Sequence, residues 1–258
     1  MQRDRNFDEL AGRFKKNIYG TQKGQIRLAV LWQHLLEQLP WLLDGPPLRI
    51  LDAGCGLGVF ALRLAELGHE LVLCDISQEL LAQAEQSFAE QQPRAQVAFH
   101  HGSLFELAEK QHQQYDLVLC HAVLEWLGEP QRSIPALQTL LKPGAHLSLM
   151  FYNINSLIYR NLVRGNLRKV KSGEFAGEIN SLTPQHPLKP EDVYGWLAEN
   201  GLNVFDRAGV RVFYDYMEKR QRESLPIEAI IEMELAHSRQ EPYLSLGRYI
   251  HLLAHNTK

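Results

Sequence analysis

The 258 residues are 45% hydrophobic and 22% charged, a balance that excludes a disordered or fibrous chain and admits a large hydrophobic core. A formal net charge of -3 excludes a uniformly basic polyanion binder, so any grip on a phosphate backbone has to come from a local basic face. Three cysteines, Cys55, Cys74 and Cys120, are odd in number, lack CxxC spacing and lie in or beside apolar stretches, so neither a disulfide framework nor a zinc site is expected.

The amino-terminal segment MQRDRNFDEL is charged and lacks an apolar stretch, and no window reaches about 18 consecutive apolar residues, so a cytoplasmic protein is expected. Residues 1–46 read as a helical lead-in, a cap on something else, with Ile26, Val30, Leu31, Leu35 and Leu39 at helical spacing until Pro40 and Gly45-Pro46-Pro47. A regular alternation follows: strand 48–53, helix 58–67, strand 70–75, helix 78–91, strand 96–100, helix 104–112 and strand 115–121. It continues with helix 134–141, the turn Lys142-Pro143-Gly144 and the apolar strand 145–152. Strands alternating with helices predict right-handed crossovers and an α/β fold with a mostly parallel sheet, helices on both faces. Residues 153–188 show no strand and read as an insertion; helix 190–200, strand 202–208, a long excursion and strand 248–254 complete seven strands in one domain over 1–258.

Asp52-x-Gly54-x-Gly56-x-Gly58 follows an apolar strand and opens a helix, where close backbone approach to a ligand demands residues without a Cβ. A dinucleotide site wants G-x-G-x-x-G with its pyrophosphate at the helix amino terminus. Here the spacing is G-x-G-x-G, and a carboxylate, Asp52, stands at the strand end, where an anion is poorly served and a cationic methionine moiety is well served. Asp75, 17 residues beyond Gly58, ends the second strand, from which it can accept hydrogen bonds from vicinal ribose hydroxyls; alternatively it is only an N-cap of the next helix. Together the motifs predict a Rossmann-like class I methyltransferase using S-adenosylmethionine, with a nicotinamide enzyme as the competing fold. Leu104 and Phe105 can pack on an adenine ring or belong to the core, and His121, at the carboxyl end of the fourth strand, occupies the crevice side where ligands bind such sheets.

Asn17 to Thr21, Lys23 to Gln25, His121 to Trp126, Leu147 to Asn153, Gly209 to Phe213, Arg239 to Tyr243 and Leu246 to His251 closely resemble the bacterial tRNA 5-carboxymethoxyuridine methyltransferases, over nearly the whole chain. The resemblance implies methyl transfer from S-adenosylmethionine to the carboxylate of 5-carboxymethoxyuridine at the tRNA wobble position, giving 5-methoxycarbonylmethoxyuridine. It also implies cofactor contacts from Arg27, Gly54 with Cys55, Asp75, Leu104 with Phe105, and His121; Asp52 and Gly56 join them from the motif itself. The family loop can be three glycines, whereas here Cys55 stands in the middle, so its expected contact is through the backbone.

A carboxylate with a reference pKa near ~4 is already ionised at neutral pH, so its attack on a methyl group needs no general base, and no catalytic acid or base is assigned. Donors that can hold it are Tyr19, Arg27, Tyr152, Arg211 and Arg248, although Arg27 cannot serve both the methionine carboxylate and the substrate. For an anticodon stem-loop partner, the lead-in to residue 27 has an excess of four positive charges. The insertion adds Arg160, Arg164, Arg168, Lys169 and Lys171, and the spacing of its three arginines predicts one basic helix face for phosphate. Trp126 and Tyr159 are candidates for base stacking, with a core role as the alternative for Trp126. Two other functions fit the cofactor motif: methylation of a small free acid, and cofactor binding without catalysis.

Overall fold

The structure, a computed structural model, describes residues 4–10, 12, 20–176, 183–184 and 186–258. Helix α1 (Gln22–Gln38) starts where Thr21 Oγ1 accepts from the Gly24 amide at 3.2 Å, satisfying one of the free donors of the first turn. It buries Ile26, Val30, Leu31 and Leu35 at the expected spacing and ends before Pro40, with α2 (Trp41–Asp44) as a short continuation. The alternation then runs β1 (Arg49–Ala53), α3 (Val59–Glu66), β2 (Glu70–Asp75), α4 (Gln78–Gln91), β3 (Val97–His101), α5 (Leu104–Lys110), β4 (Tyr115–His121), α6 (Ser133–Leu140) and β5 (Leu141–Tyr152). Local chemistry sets the helix starts: Ser77 caps α4, and Ser103 with Glu106 forms a reciprocal capping box at α5.

The sheet order is β3-β2-β1-β4-β5-β7-β6, with the first five strands parallel. Strand β7 (Tyr249–Asn256) is antiparallel to both neighbours, β5 and β6 (Leu202–Val210). One face buries Leu51, Val118, Leu149 and Leu252 under α5, α6 and α9 (Pro190–Glu199); the other buries Ile50, Leu73, Leu119 and Leu253 under α1, α3 and α4. Such a doubly covered sheet leaves the carboxyl ends of β1, β2 and β4 as the open crevice.

Two expectations need correction, and one segment left open is now described. Lys142-Pro143-Gly144 is an irregular stretch inside β5, where pairing jumps from Tyr115 with Leu141 to Leu117 with His146 and Gly144 takes φ 76°. The insertion holds two helices, α7 (Ile154–Val163) and α8 (Leu167–Ser172), broken at Gly165 with φ 72°, so Arg160, Arg164 and Arg168 do not share one continuous helix face. The excursion after β6 is helical, with α10 (Lys219–Ser224), α11 (Ile227–His237) and α12 (Tyr243–Leu246). Tyr19 lies outside the described residues, as do Arg3, Arg13, Lys15 and Lys16.

Helix α11 carries Glu234, fully buried, whose carboxylate accepts from the amides of Val212, Phe213 and Tyr214 at 2.6, 3.3 and 2.8 Å. That anchor shapes the loop between Arg211, held at φ 59°, and Asp215. Replacing Glu234 with Ala strands three buried donors, and urea denaturation is expected to show a loss of about 2–4 kcal/mol.

Candidate cofactor and anion site

The glycine turn is built by backbone economy. The amides of Gly54 and Cys55 both donate to the Cys74 carbonyl, at 2.8 and 3.1 Å, tying the end of β1 to the end of β2. Gly54 sits at φ 76°, and a Cβ there would lie 2.4 Å from Val123 Cγ2; a Cβ on Gly58 would lie 2.6 Å from Leu73 Cδ2. Cys55 keeps a negative φ, so a side chain is tolerated at the middle of the turn. All three cysteines are buried free thiols.

Asp75 takes the Gly56 amide on Oδ2 at 2.7 Å and the Ser77 amide on Oδ1 at 2.8 Å, while Ser77 itself caps α4. The N-cap alternative for Asp75 is thus replaced by a carboxylate that braces the glycine turn and lines the cavity. Burial pushes Asp75 above the usual carboxylate range, against those amide bonds. Asp52 is pushed up to about 7, first by burial and then by Asp75.

One cavity is lined by Arg27 from α1, by Asp52, Gly54, Cys55, Gly56 and Asp75 from the two strand ends, and by Leu104, Phe105 and His121. Met150 and Tyr249 close its inner wall, and Trp126 borders it rather than joining the main core. Sequence reading missed the strap of residues 4–8. Asp4, Arg5 and Phe7 also line the cavity. The Arg5 amide donates to the Trp126 carbonyl at 3.1 Å, Asp4 Oδ1 accepts from the Gly128 amide at 2.9 Å, and Phe7 meets the Trp126 ring edge-on at 4.8 Å. On the other side Asp8 Oδ1 accepts from the Ser77 hydroxyl at 2.7 Å, so the strap crosses from the end of β2 to the loop after β4. A pair of buried acids, a turn whose space a Cβ would fill and an apolar wall of Leu104, Phe105 and Leu80 fit S-adenosylmethionine: acids for its cationic end, backbone for close approach, apolar faces for its ring.

Beyond Tyr249 lies a second, oppositely charged cluster. Arg211 and Arg248 are buried rather than forming surface salt bridges. Their guanidinium carbons stand 5.4 Å from the Tyr249 ring centre and 5.0 Å from that of Tyr152, and the two rings are 5.2 Å apart. Arg211 Nε contacts Asp215 Oδ2 at 2.8 Å, and Lys23 Nζ reaches Asp215 Oδ1 at 3.9 Å. Against the cost of its burial, Arg211, Arg248, Lys23 and Arg160 hold the Asp215 carboxyl below its usual range. Four cations therefore face one carboxylate, and Arg248 Nη1 and Arg160 Nε are buried without a hydrogen-bond partner. An excess of desolvated donors of this kind is a ready receptor for an anion. In the sequence Lys23 counted only as one of the basic lead-in residues and within a family-like segment, and Asp215 carried no signal, because no local pattern pairs positions so far apart.

The remaining basic residues of the insertion, Arg164, Arg168, Lys169 and Lys171, are exposed with Tyr159, Leu162, Val163 and Leu167 around the α7–α8 break. Arg160 parts from them and turns to the buried cluster.

Residues 51–147 match a family model described as a methyltransferase domain. The chain is 42% identical over 252 residues to the tRNA 5-carboxymethoxyuridine methyltransferase of Escherichia coli (strain K12), covering 97% of this chain and 96% of that one. It is 29% identical to the ubiquinone biosynthesis O-methyltransferase of Xanthomonas axonopodis pv. citri (strain 306), over 72% of this chain and 75% of the relative. Among solved structures, magnesium protoporphyrin IX methyltransferase from Synechocystis PCC 6803 with bound SAH superposes with a TM-score of 0.62 at 21% identity, covering 97% of this chain and 96% of that chain. The PH0226 protein from Pyrococcus horikoshii OT3 gives 0.63 at 16% identity, with 97% and 99% coverage. At those identities the structures share the fold.

The raised Asp52 carboxyl has a measurable consequence. Its folded pKa of about 7 exceeds an unfolded value near ~3.9, so between the two the folded chain holds the extra proton and the contribution to stability falls as pH rises. Thermal melts of the ligand-free protein are expected to show that decline from about pH 4 to about 7, and Asp52→Asn to remove its share of the slope. Ionised Asp52 favours a cation, so titration calorimetry with the sulfonium S-adenosylmethionine is expected to show affinity rising with pH across the same window in wild type and not in Asp52→Asn.

Proposed function

This chain belongs to the tRNA 5-carboxymethoxyuridine methyltransferase family, and from that premise we propose that it methylates the carboxylate of 5-carboxymethoxyuridine at the wobble position of tRNA, in the cytoplasm. The observation that carries the reading is the double role of Tyr249: it lines the cofactor cavity and lies under Arg211, beside Arg248 and Tyr152. A methyl donor and an anion receptor thus share one wall.

Bound S-adenosylmethionine supplies an electrophilic methyl group on its sulfonium. Asp52 and Asp75 offset the cofactor's charge, the glycine turn admits its methionine portion, and the strap of residues 4–8 excludes water from above. Arg248 and Arg160 offer the substrate carboxylate their unpartnered donors, and Asp215 keeps the four cations together until it arrives. Because that carboxylate is ionised already, the residues contribute position and charge balance rather than proton transfer. Tyr152, buried between the ring of Tyr249 and Arg248, borders the receptor. The exposed bases around the α7–α8 break lie at the far end of the helix that carries Arg160, which suits them to the phosphates flanking the modified nucleoside on the anticodon stem-loop.

Incubation of the protein and methyl-labelled cofactor with tRNA from a strain lacking the native enzyme is expected to place label in the 5-carboxymethoxyuridine nucleoside; unlabelled nucleoside rejects the reading. Arg248→Ala is expected to cost on the order of 100-fold in kcat/KM for that tRNA while cofactor affinity is unchanged. Joint replacement of Arg164, Arg168 and Lys169 by Glu is expected to weaken tRNA binding and to reduce the slope of log affinity against log salt by roughly two to three. Cofactor binding in that variant, read by calorimetry, stays at the wild-type value.

A further inference from the structure

A buried polar chain leaves the cofactor cavity on the side away from the anion receptor, and the reaction as described makes no use of it. His121 Nε2 lies 2.8 Å from Ser148 Oγ, Ser148 Oγ 2.8 Å from His251 Nε2, and His251 Nδ1 2.8 Å from His34 Nδ1. The chain crosses β4, β5 and β7 and rises into α1, where His34 Nε2 faces Asp206 Oδ1 at 3.8 Å; Asp206 also pairs with Arg239. Ser148 and His251 are fully buried and His34 is 2% exposed, so no solvent interrupts the sequence of contacts.

Burial keeps these imidazoles neutral: His121 is pushed down to about 3, with Arg27 adding to the effect, and His251 lies well below its usual value. A neutral imidazole has one N–H and one bare nitrogen, and a serine hydroxyl donates once along such a chain. The direction of donation is therefore shared by every link. The carboxylate at the outer end stands beyond hydrogen-bond distance of His34 Nε2, which has no other partner among the described residues, and its negative charge favours the proton on that nitrogen over a lone pair facing it. His34 Nδ1 then accepts from His251, His251 Nε2 accepts from Ser148, and Ser148 accepts from His121 Nε2. The opposite direction sets a lone pair of buried His34 against the partly exposed Asp206 carboxylate.

We propose that Asp206, acting through His34, His251 and Ser148, fixes the tautomer of His121 so that its bare Nδ1 faces the cofactor cavity and accepts a hydrogen bond from the methionine ammonium. His34, Ser148, His251 and Asp206 are positioning residues, and only His121 touches the ligand. The ligand contact rests on the cofactor reading above, whereas the tautomer is a property of the ligand-free protein and is tested without it.

In protein labelled with 15N-histidine and free of ligand, two-bond proton–nitrogen correlation spectra are expected to show His121 only as the Nε2–H tautomer. A proton on Nδ1, or two tautomers side by side, overturns the proposal. His34→Leu removes the acceptor for His251 and is expected to release the His121 tautomer, whereas His34→Gln, whose amide oxygen can accept in the same place, is expected to keep it. The Leu variant is expected to bind S-adenosylhomocysteine roughly three- to tenfold more weakly, the worth of one hydrogen bond. Its affinity for methylthioadenosine, which lacks the amino-acid portion, is expected to stay the same, and the Gln variant to restore the first ligand. Equal weakening of both ligands, or an unchanged tautomer in folded His34→Leu, overturns the assignment. If His34→Leu fails to fold, Asp206→Ala makes the test from the outer end: mixed tautomers at His121 support the proposal and a single unchanged one rejects it.

Discussion

Charge held out of water without its full complement is the constraint around which this molecule is arranged. Asp52 and Asp75 are buried side by side, and across the Tyr249 wall buried Arg211 and Arg248, with the partly exposed Arg160 and Lys23, outnumber Asp215. Each cluster costs stability in the empty protein, and each is relieved by a ligand of opposite sign. On the proposed function the two reactants differ in charge, cationic donor and anionic acceptor, so relieving the clusters would also sort the reactants to their places. Packing supplies the offset: both faces of the seven-stranded sheet are covered, and Glu234 meets three amides to hold the loop that carries Arg211.

The half of the fold from β1 to β5 was legible because its determinants are local. Apolar runs of strand length, serine caps and a glycine turn each act within a few residues, and the expected limits of β2, α4 and β4 coincide with those observed. The strap was not legible, since Asp8 answers to Ser77 and Asp4 to Gly128, contacts that no window of sequence contains. His34 and His251 stood hidden in apolar stretches, where nothing distinguished a linked pair from two solitary core residues. The spacing of Arg160, Arg164 and Arg168 was over-read; Gly165-Asn166 between them was the available sign of a helix break. Lys142-Pro143-Gly144 has turn composition, and pairing on either side of it, Tyr115 with Leu141 and Leu117 with His146, nevertheless places it within β5.

Helix α7 joins two scales of recognition. Its last turn holds Arg160 in the buried cluster, and the next residues, Arg164 onward, are in solvent. On the proposed function, the residue that meets the carboxylate, Arg160, lies on this ten-residue helix, and the exposed bases begin at its carboxyl-terminal cap, Arg164, and continue on α8.

Strand β7 has a consequence for biosynthesis. It lies between β5 and β6, and residues 248–251 deliver Arg248, Tyr249 and His251 at once to the anion receptor, the shared wall and the histidine chain. A nascent chain that has emerged only through β5 already owns the glycine turn and both cofactor acids, with its sheet ending in an unpaired edge. On the proposed function, the residues that select the acceptor belong to the later segment, whose pairing with β5 also covers that edge, so the fold is closed and the acceptor site completed by the same strand.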